Sequence, residues 1–401
     1  YINYFIFAIY LRHDKRILKT EQEVRDIYSS YREKIPATAS LFLNLKDRRR
    51  SSMDSSMDLK SMTLEELTDC VMELGEKKFR AKQIYGWLHQ KLVRSPEEMK
   101  NVPAKCIEKL LKEHPFYGVE EVEHYESKID GTQKFLFSLH DGNMVESVLM
   151  KYKHGNSVCI SSQAGCRMGC RFCASTLLGL SRNLYPSEML DQIYAIQKAT
   201  GERVSHLVVM GTGEPFDNFE SLCRMIELLC SPDGLNISHR NITVSTCGIV
   251  PKIYEFADRN PQVTLAISLH SPNDTMRREL MPIANKYSMD ELMEAARYYT
   301  RTTGRRITFE YSLVKGVNDK KEHAQELISR VKGMNCHINL IPVNPIKERD
   351  FEQSTQNNVA AFKHILERQH IQVTVRREMG RDIQAACGQL RKSYKERSGD
   401  E

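Results

Sequence analysis

From residue 157 to residue 375 the chain alternates between short β-type runs and helical stretches, and this alternation limits the possible folds more than any other feature. Strand-like runs fall at 157–161, 206–210, 241–246, 263–269, 307–314, 337–341 and 371–375. Helical stretches lie between them at about 186–200, 217–230, 249–258, 288–301, 319–332 and 355–369. Such an order argues for a parallel sheet covered by helices, either doubly wound or closed into a full or partial (β/α) barrel. In both, ligands bind at the C-terminal ends of the strands. Nearly every unusual polar motif of this chain falls there.

The densest motif follows the first of these strands. Cys166, Cys170 and Cys173 are spaced CxxxCxxC on a short loop, with Cys159 just upstream. Thiolates are soft ligands that suit zinc or iron–sulfur clusters. A 4Fe–4S cluster usually takes four protein thiolates, so three would leave one iron open to a substrate or cofactor. A zinc site with a distant fourth ligand and three cysteines packed as small hydrophobes are the alternatives the triplet leaves open.

The other strand ends carry Gly211-Thr212-Gly213-Glu214-Pro215, Ser245-Thr246-Cys247-Gly248, Ser268-Leu269-His270 and Ile341-Pro342-Val343-Asn344-Pro345. The two glycines of the first let a ligand approach the backbone, and Glu214 can take an ammonium or a ribose; read singly it is a tight turn. A lone histidine such as His270 is more often a structural hydrogen-bonding group, but polar tips on successive strands are harder to dismiss. Cys387 lies in a basic, glycine-flanked stretch that begins at Arg376, a setting that can lower a thiol pKa. Its plain reading is a buried small residue.

Ahead of the alternating region, Thr63-Leu64-Glu65-Glu66 is a capping box, and Ser95-Pro96 is a further start signal. They give a small domain of three or four helices over 58–115, whose basic face reads first as solvated. Over 116–152 the period changes to two around Asp141-Gly142, a hairpin signal. Glu146 is a lone carboxylate in its apolar strand and reads as solvent-facing. Residues 1–57 are expected to be an extension with a basic linker at 46–56 and no assigned function, the working chain beginning near Met53 or Met57. Residues 396–401 are a polar tail.

The 401 residues carry 11 cysteines and a net charge of +6. An odd cysteine count without a secretory signal argues for reduced thiols and an intracellular, cytoplasmic setting. The charge is compatible with a polyanionic partner, and no apolar run reaches membrane-spanning length.

Taken together and in this order, CxxxCxxC, GTGEP, STCG, SLH, IPVNP and RREMGRDIQAACGQL resemble the RlmN family of dual-specificity RNA adenine-C2 methyltransferases, relatives of the C8-methylating Cfr type. The resemblance covers about 58–395. It implies a radical S-adenosylmethionine (SAM) partial (β/α) barrel over 153–395, with the β-hairpin extension and the N-terminal helical domain, here as an RNA-binding accessory. It implies that Cys166, Cys170 and Cys173 hold a 4Fe–4S cluster, and that Gly213, Glu214, Ser245, Ser268, Leu269, His270 and Asn344 line SAM, used twice per turnover. Cys387 matches the cysteine the family methylates, Cys159 the second catalytic cysteine, which forms a disulfide with it, and Glu146 the proton acceptor. The implied substrates are 23S rRNA at the peptidyl-transferase centre and tRNA at the adenosine 3′ of the anticodon. Arg376, Arg377, Arg381 and the 391–395 tail would suit phosphate contacts. A monomer served by flavodoxin or ferredoxin as electron donor completes the expectation, with C8 chemistry or a zinc-stabilised non-catalytic RNA-binding protein as rivals.

Overall fold

The computed structural model describes residues 57–346, 348–386 and 388–390. The chain divides after Met57 into two units, and the second, Asp58–Glu401, carries the elements described here. The expected extension and the 391–401 tail lie outside the described residues, as does Cys387.

Three α-helices open the second unit: α1 (Leu64–Glu73), α2 (Phe79–His89) and α3 (Ala104–Glu113). The Thr63 capping box forms as expected, its hydroxyl accepting from Glu66 N at 3.2 Å while Glu66 accepts from Thr63 N. The second start signal does not open a fourth α-helix. Pro96–Glu98 makes a single 3₁₀ turn, because Pro103 follows within a few residues and cannot donate within a helix.

Lys60 Nζ is buried against the Asp191 carboxylate at 2.6 Å, and His89 Nδ1 lies 2.9 Å from Tyr194 Oη. Arg224 pairs with Glu66 at 2.8 Å. These links seat the helical segment on α4 (Pro186–Thr200) and α5 (Phe219–Cys230), on the helical side of the sheet.

The main sheet has ten strands. β1 (Glu120–Glu126), β2 (Gln133–Ser138) and β3 (Met144–Tyr152) form an antiparallel meander, and β3 pairs antiparallel with β4 (Gly155–Ile160). From β4 the order runs in parallel through β7 (Val204–Val209), β8 (Ile242–Thr246), β9 (Thr264–Ser268), β10 (Ile307–Leu313), β11 (Cys336–Pro342) and β12 (Gln372–Val375). Connecting helices α6 (Val250–Arg259), α7 (Asp274–Leu280), α8 (Met289–Thr303), α9 (Lys321–Val331) and α10 (Gln356–Glu367) complete the βα units. This is the expected partial (β/α) barrel with its hairpin extension.

Period-two alternation sorts the strands' side chains. Leu265, Ile267, Phe309 and Tyr311 are fully buried on one face, where Tyr299 of α8 donates to Val263 O at 2.7 Å. The other face presents Ser268, Glu310, Ser312 and Asn339. Apolar packing cannot fill a polar inner wall, so the barrel holds a cleft.

Between β4 and α4 lies a short two-stranded clamp that periodicity did not reveal, β5 (Gln163–Gly165) with β6 (Leu180–Asn183). It pinches off the cysteine loop at its base.

Candidate functional site: a thiol-lined cleft at the strand ends

The cleft is walled by the residues that end or follow the parallel strands: the three loop cysteines, Gly213 and Glu214 after β7, Ser245 on β8, Ser268 and His270 at β9, and Asn344 after β11. Leu269 stands apart. Its side chain is fully buried and does not line the cleft, and its carbonyl accepts from Arg277 Nε at 3.2 Å.

The clamp holds the cysteine loop in register. Cys166 N donates to Gly179 O at 3.0 Å, and Arg171 N donates to Leu280 O at 2.9 Å at the end of α7. Gly165 has φ +81, and a Cβ there would stand 2.0 Å from Gly179 O. Gly165→Ala is therefore expected to spread the clamp, costing about 3 kcal/mol or more. Urea unfolding and iron retention after reconstitution both read this out.

Burial pushes the Cys166 thiol up to about 12 and Cys170 well above the ordinary value, and Cys173 adds to both effects. Cys166 and Cys170, which resist ionising beside Cys173, ask for a cationic group among the three.

Glu214 is buried, and both of its carboxylate oxygens accept hydrogen bonds. It accepts from Thr246 Oγ1 and Cys247 N, both at 2.7 Å, and from Phe216 N at 2.9 Å. Burial raises its pKa. The side chain thus locks the β7 and β8 tips together. At Gly213 a Cβ would stand 2.7 Å from the Gln163 Cβ, so only glycine lets that backbone sit against β5. His270 serves both of its readings: Nδ1 accepts from Ser312 N at 2.9 Å while the ring lines the cleft. Burial holds it neutral, with a pKa of about 3.

A second cavity adjoins the first and shares Ile341, Asn344 and Arg376 with it. Cys159, Val148, Met150, Ala385 and Ala386 line it. Cys159 is buried. Gly388 reaches the first cleft, where its carbonyl accepts from Ala174 N at 2.8 Å. The two neighbours of Cys387 in sequence thus line the two adjoining cavities.

Glu146 is only 9 % exposed, which corrects its solvent-facing reading. It shares the face of β3 with Val148 and Met150, and Lys134 Nζ lies 3.2 Å from Oε1. Ser147, on the opposite face, donates to Gln192 of α4 at 2.7 Å. Arg376 does not stand ready for phosphate; it turns into the cleft, 3.8 Å from Glu310. Arg377 and Arg381 are exposed. Glu310 escaped sequence reading, although a lone acid in Ile-Thr-Phe-Glu-Tyr-Ser-Leu is the same signal that marked Glu146.

Residues 160–328 match the model of the radical SAM superfamily, and residues 57–114 match that of the ribosomal RNA large subunit methyltransferase N-terminal domain. The "Probable dual-specificity RNA methyltransferase RlmN" of Lachnospira eligens is 63% identical over 339 residues, 84% of this chain and 97% of the relative. The protein of the same name from Lachnoclostridium phytofermentans is 60% identical over 347 residues, 86% and 98% of the two chains. The chain belongs to the RlmN family of radical SAM methyltransferases. A crystal structure of a radical SAM methyltransferase from Sphaerobacter thermophilus superposes with a TM-score of 0.81 at 41% identity, covering 84% of this chain and all of that one.

Radical SAM membership brings a 4Fe–4S cluster and SAM, and this RlmN-family chain fits both. No group of three or more His, Cys, Asp or Glu side chains among the described residues is arranged to hold a single metal ion. Cys166, Cys170 and Cys173 open on one common cleft, as a cluster several atoms across requires. Beside them the close approach at Gly213 and the hydroxyls of Ser245 and Ser268, 3.5 Å apart, offer the backbone and polar groups that a nucleoside needs. No helix among the described residues is long and apolar enough to cross a membrane.

Proposed function

We propose that this RlmN-family methyltransferase places a methyl group on C2 of adenosine in 23S rRNA and tRNA, carrying it on Cys387 and consuming two molecules of SAM per turnover. One observation carries the reading: the cleft with the three cluster thiols and the cavity with Cys159 share a wall, and Ala386 and Gly388 reach one each.

Cys166, Cys170 and Cys173 would hold the cluster, and Gly213, Glu214, Ser245, Ser268, His270 and Asn344 would hold SAM. When bound, these groups supply a radical able to take hydrogen from an unactivated methyl group, the step that an electron-poor aromatic carbon demands. Everything else falls to the chain's own residues. The Cys387 sulfur holds the carbon to be transferred. Glu146, buried beside Lys134, accepts the proton that leaves C2. Cys159, as its thiolate, attacks the Cys387 sulfur. The bond from that sulfur to the transferred carbon breaks with its electron pair left on the RNA, where the carbon takes up a proton to become the methyl group. The disulfide formed is reduced by an external thiol. The apolar walls of Val148 and Met150 exclude water from this exchange.

In the same reading, 58–115 is an RNA-binding accessory domain, 116–152 a hairpin extension and 153–395 the catalytic domain of a cytoplasmic monomer reduced by a flavodoxin or ferredoxin. The base must be presented out of its stack to reach so enclosed a site. Anaerobically reconstituted protein is expected to hold about four irons per chain and to yield 2-methyladenosine on digestion of treated RNA. Retention matching an 8-methyladenosine standard would move the chain to the C8 branch, and a colourless zinc protein would discard the radical mechanism.

A further inference from the structure

Arg277, on α7, is the largest fully buried side chain among the described residues, with 0% exposure. Nη2 donates to Cys247 O at 2.6 Å and lies 3.3 Å from Ser268 O; Nε donates to Leu269 O at 3.2 Å. Nη1 is buried and has no hydrogen-bond partner. These acceptors are all neutral carbonyls, which do not repay the desolvation of a cation.

Asp274, on the same helix, accepts from Met289 N at 2.8 Å through Oδ1. Cys247, whose carbonyl Arg277 holds, packs with Cys170 of the loop against Leu280 and Met281. The Arg277 side chain does not line the cleft. It stands behind the wall of Cys247, on the helix whose last residue binds the cysteine loop through Arg171 N. A buried cation one layer behind Cys247, which packs against Cys170, is arranged to act on charge held at the cysteine loop and not to touch a ligand.

We propose that Arg277 is the built-in counter-charge of the cluster held by Cys166, Cys170 and Cys173, a positioning residue that raises the cluster's reduction potential. This rests on the cluster reading above. The step it favours is the passage of one electron from a low-potential donor to the cluster; no bond to Arg277 forms and no proton moves. Each added negative charge at the thiols is offset by the fixed positive charge behind them.

The test is a dithionite titration of the reconstituted holoenzyme followed by electron paramagnetic resonance, with iron content measured in parallel. Arg277→Gln, which can still donate to the carbonyls but carries no charge, is expected to lower the reduced-to-oxidised ratio at fixed poise about tenfold or more, about 59 mV for a one-electron couple. Arg277→Lys, keeping the charge, is expected to stay within about threefold of the parent. A glutamine variant with full iron content and the parent's potential overturns the proposal, as does a lysine variant that falls as far as glutamine. Should the glutamine variant not fold, the lysine variant decides alone: a parent-like ratio sustains the counter-charge and a tenfold loss overturns it. A parent protein without iron overturns the cluster reading and this proposal together, whereas normal iron with unshifted variants overturns this one only.

Discussion

Replacing Cys387 by serine is expected to leave the iron in place and to cut RNA methylation by about 10⁴-fold or more, the scale on which removing a covalent nucleophile acts. A serine hydroxyl ionises far less readily than a thiol and is the poorer nucleophile. No neighbouring group in the chain replaces the sulfur as a methyl carrier on this reading. Cys159→Ala separates the two thiols. Multiple turnover is again lost, but the bond from Cys387 to the RNA now persists, and a covalent protein–RNA adduct accumulates on a denaturing gel. Cys159 is buried, packed with Val148, Met150 and Ala385, so alanine there leaves the packing close to native. Full turnover in either variant sinks the two-thiol mechanism. An adduct with the Cys387 variant would assign the carrier to another residue.

Most of the barrel was legible in the sequence because its two periods are clean. The six helical stretches between strands fall within a few residues of their expected bounds, and 186–200 coincides with α4. The Asp141-Gly142 turn joins β2 to β3 with Gly142 at φ +78. What stayed hidden depends on contacts distant in sequence. β5 and β6 are three and four residues long and separated by the cysteine loop, too short for any periodic signal. Arg277 sits in Asp-Thr-Met-Arg-Arg-Glu-Leu, which composition reads as a solvated helix. The burial of Arg277, but not Arg278, follows only from how α7 packs beneath the loop. Glu146 and Glu310 are the converse. Glu146 was marked as a misfit in an apolar strand and Glu310 carried the same signal unread; Glu310 lines the cleft, and Glu146 shares the β3 face of Val148 and Met150, which line the adjoining cavity. In both cases the solvent-face rule failed because the strand is buried on both faces.

The residue roles in the cleft were reachable only through the motif set, and the cluster thiols give the sharpest check on them. Cys170→Ala is expected to reduce iron from about four per chain to background and methylation by about 10⁴-fold or more, while costing the fold only about 1 kcal/mol. The two effects part because Cys170 has two environments. Its side chain packs with Cys247, Leu280 and Met281 as a small hydrophobe would, and alanine satisfies that role. On the proposed reading its sulfur is also one of three ligands, and with two thiolates left the cluster would have two irons without protein partners. Iron by colorimetric assay, urea unfolding by circular dichroism and methylated nucleoside by chromatography measure the three quantities on one preparation. A variant that keeps nearly four irons would mean that another thiol takes the place of Cys170. Cys247 lines the same cleft on the facing wall, so the double variant with Cys247→Ala would then lose the iron that the single variant kept. If the double variant kept it as well, the cluster would not be anchored at Cys166, Cys170 and Cys173.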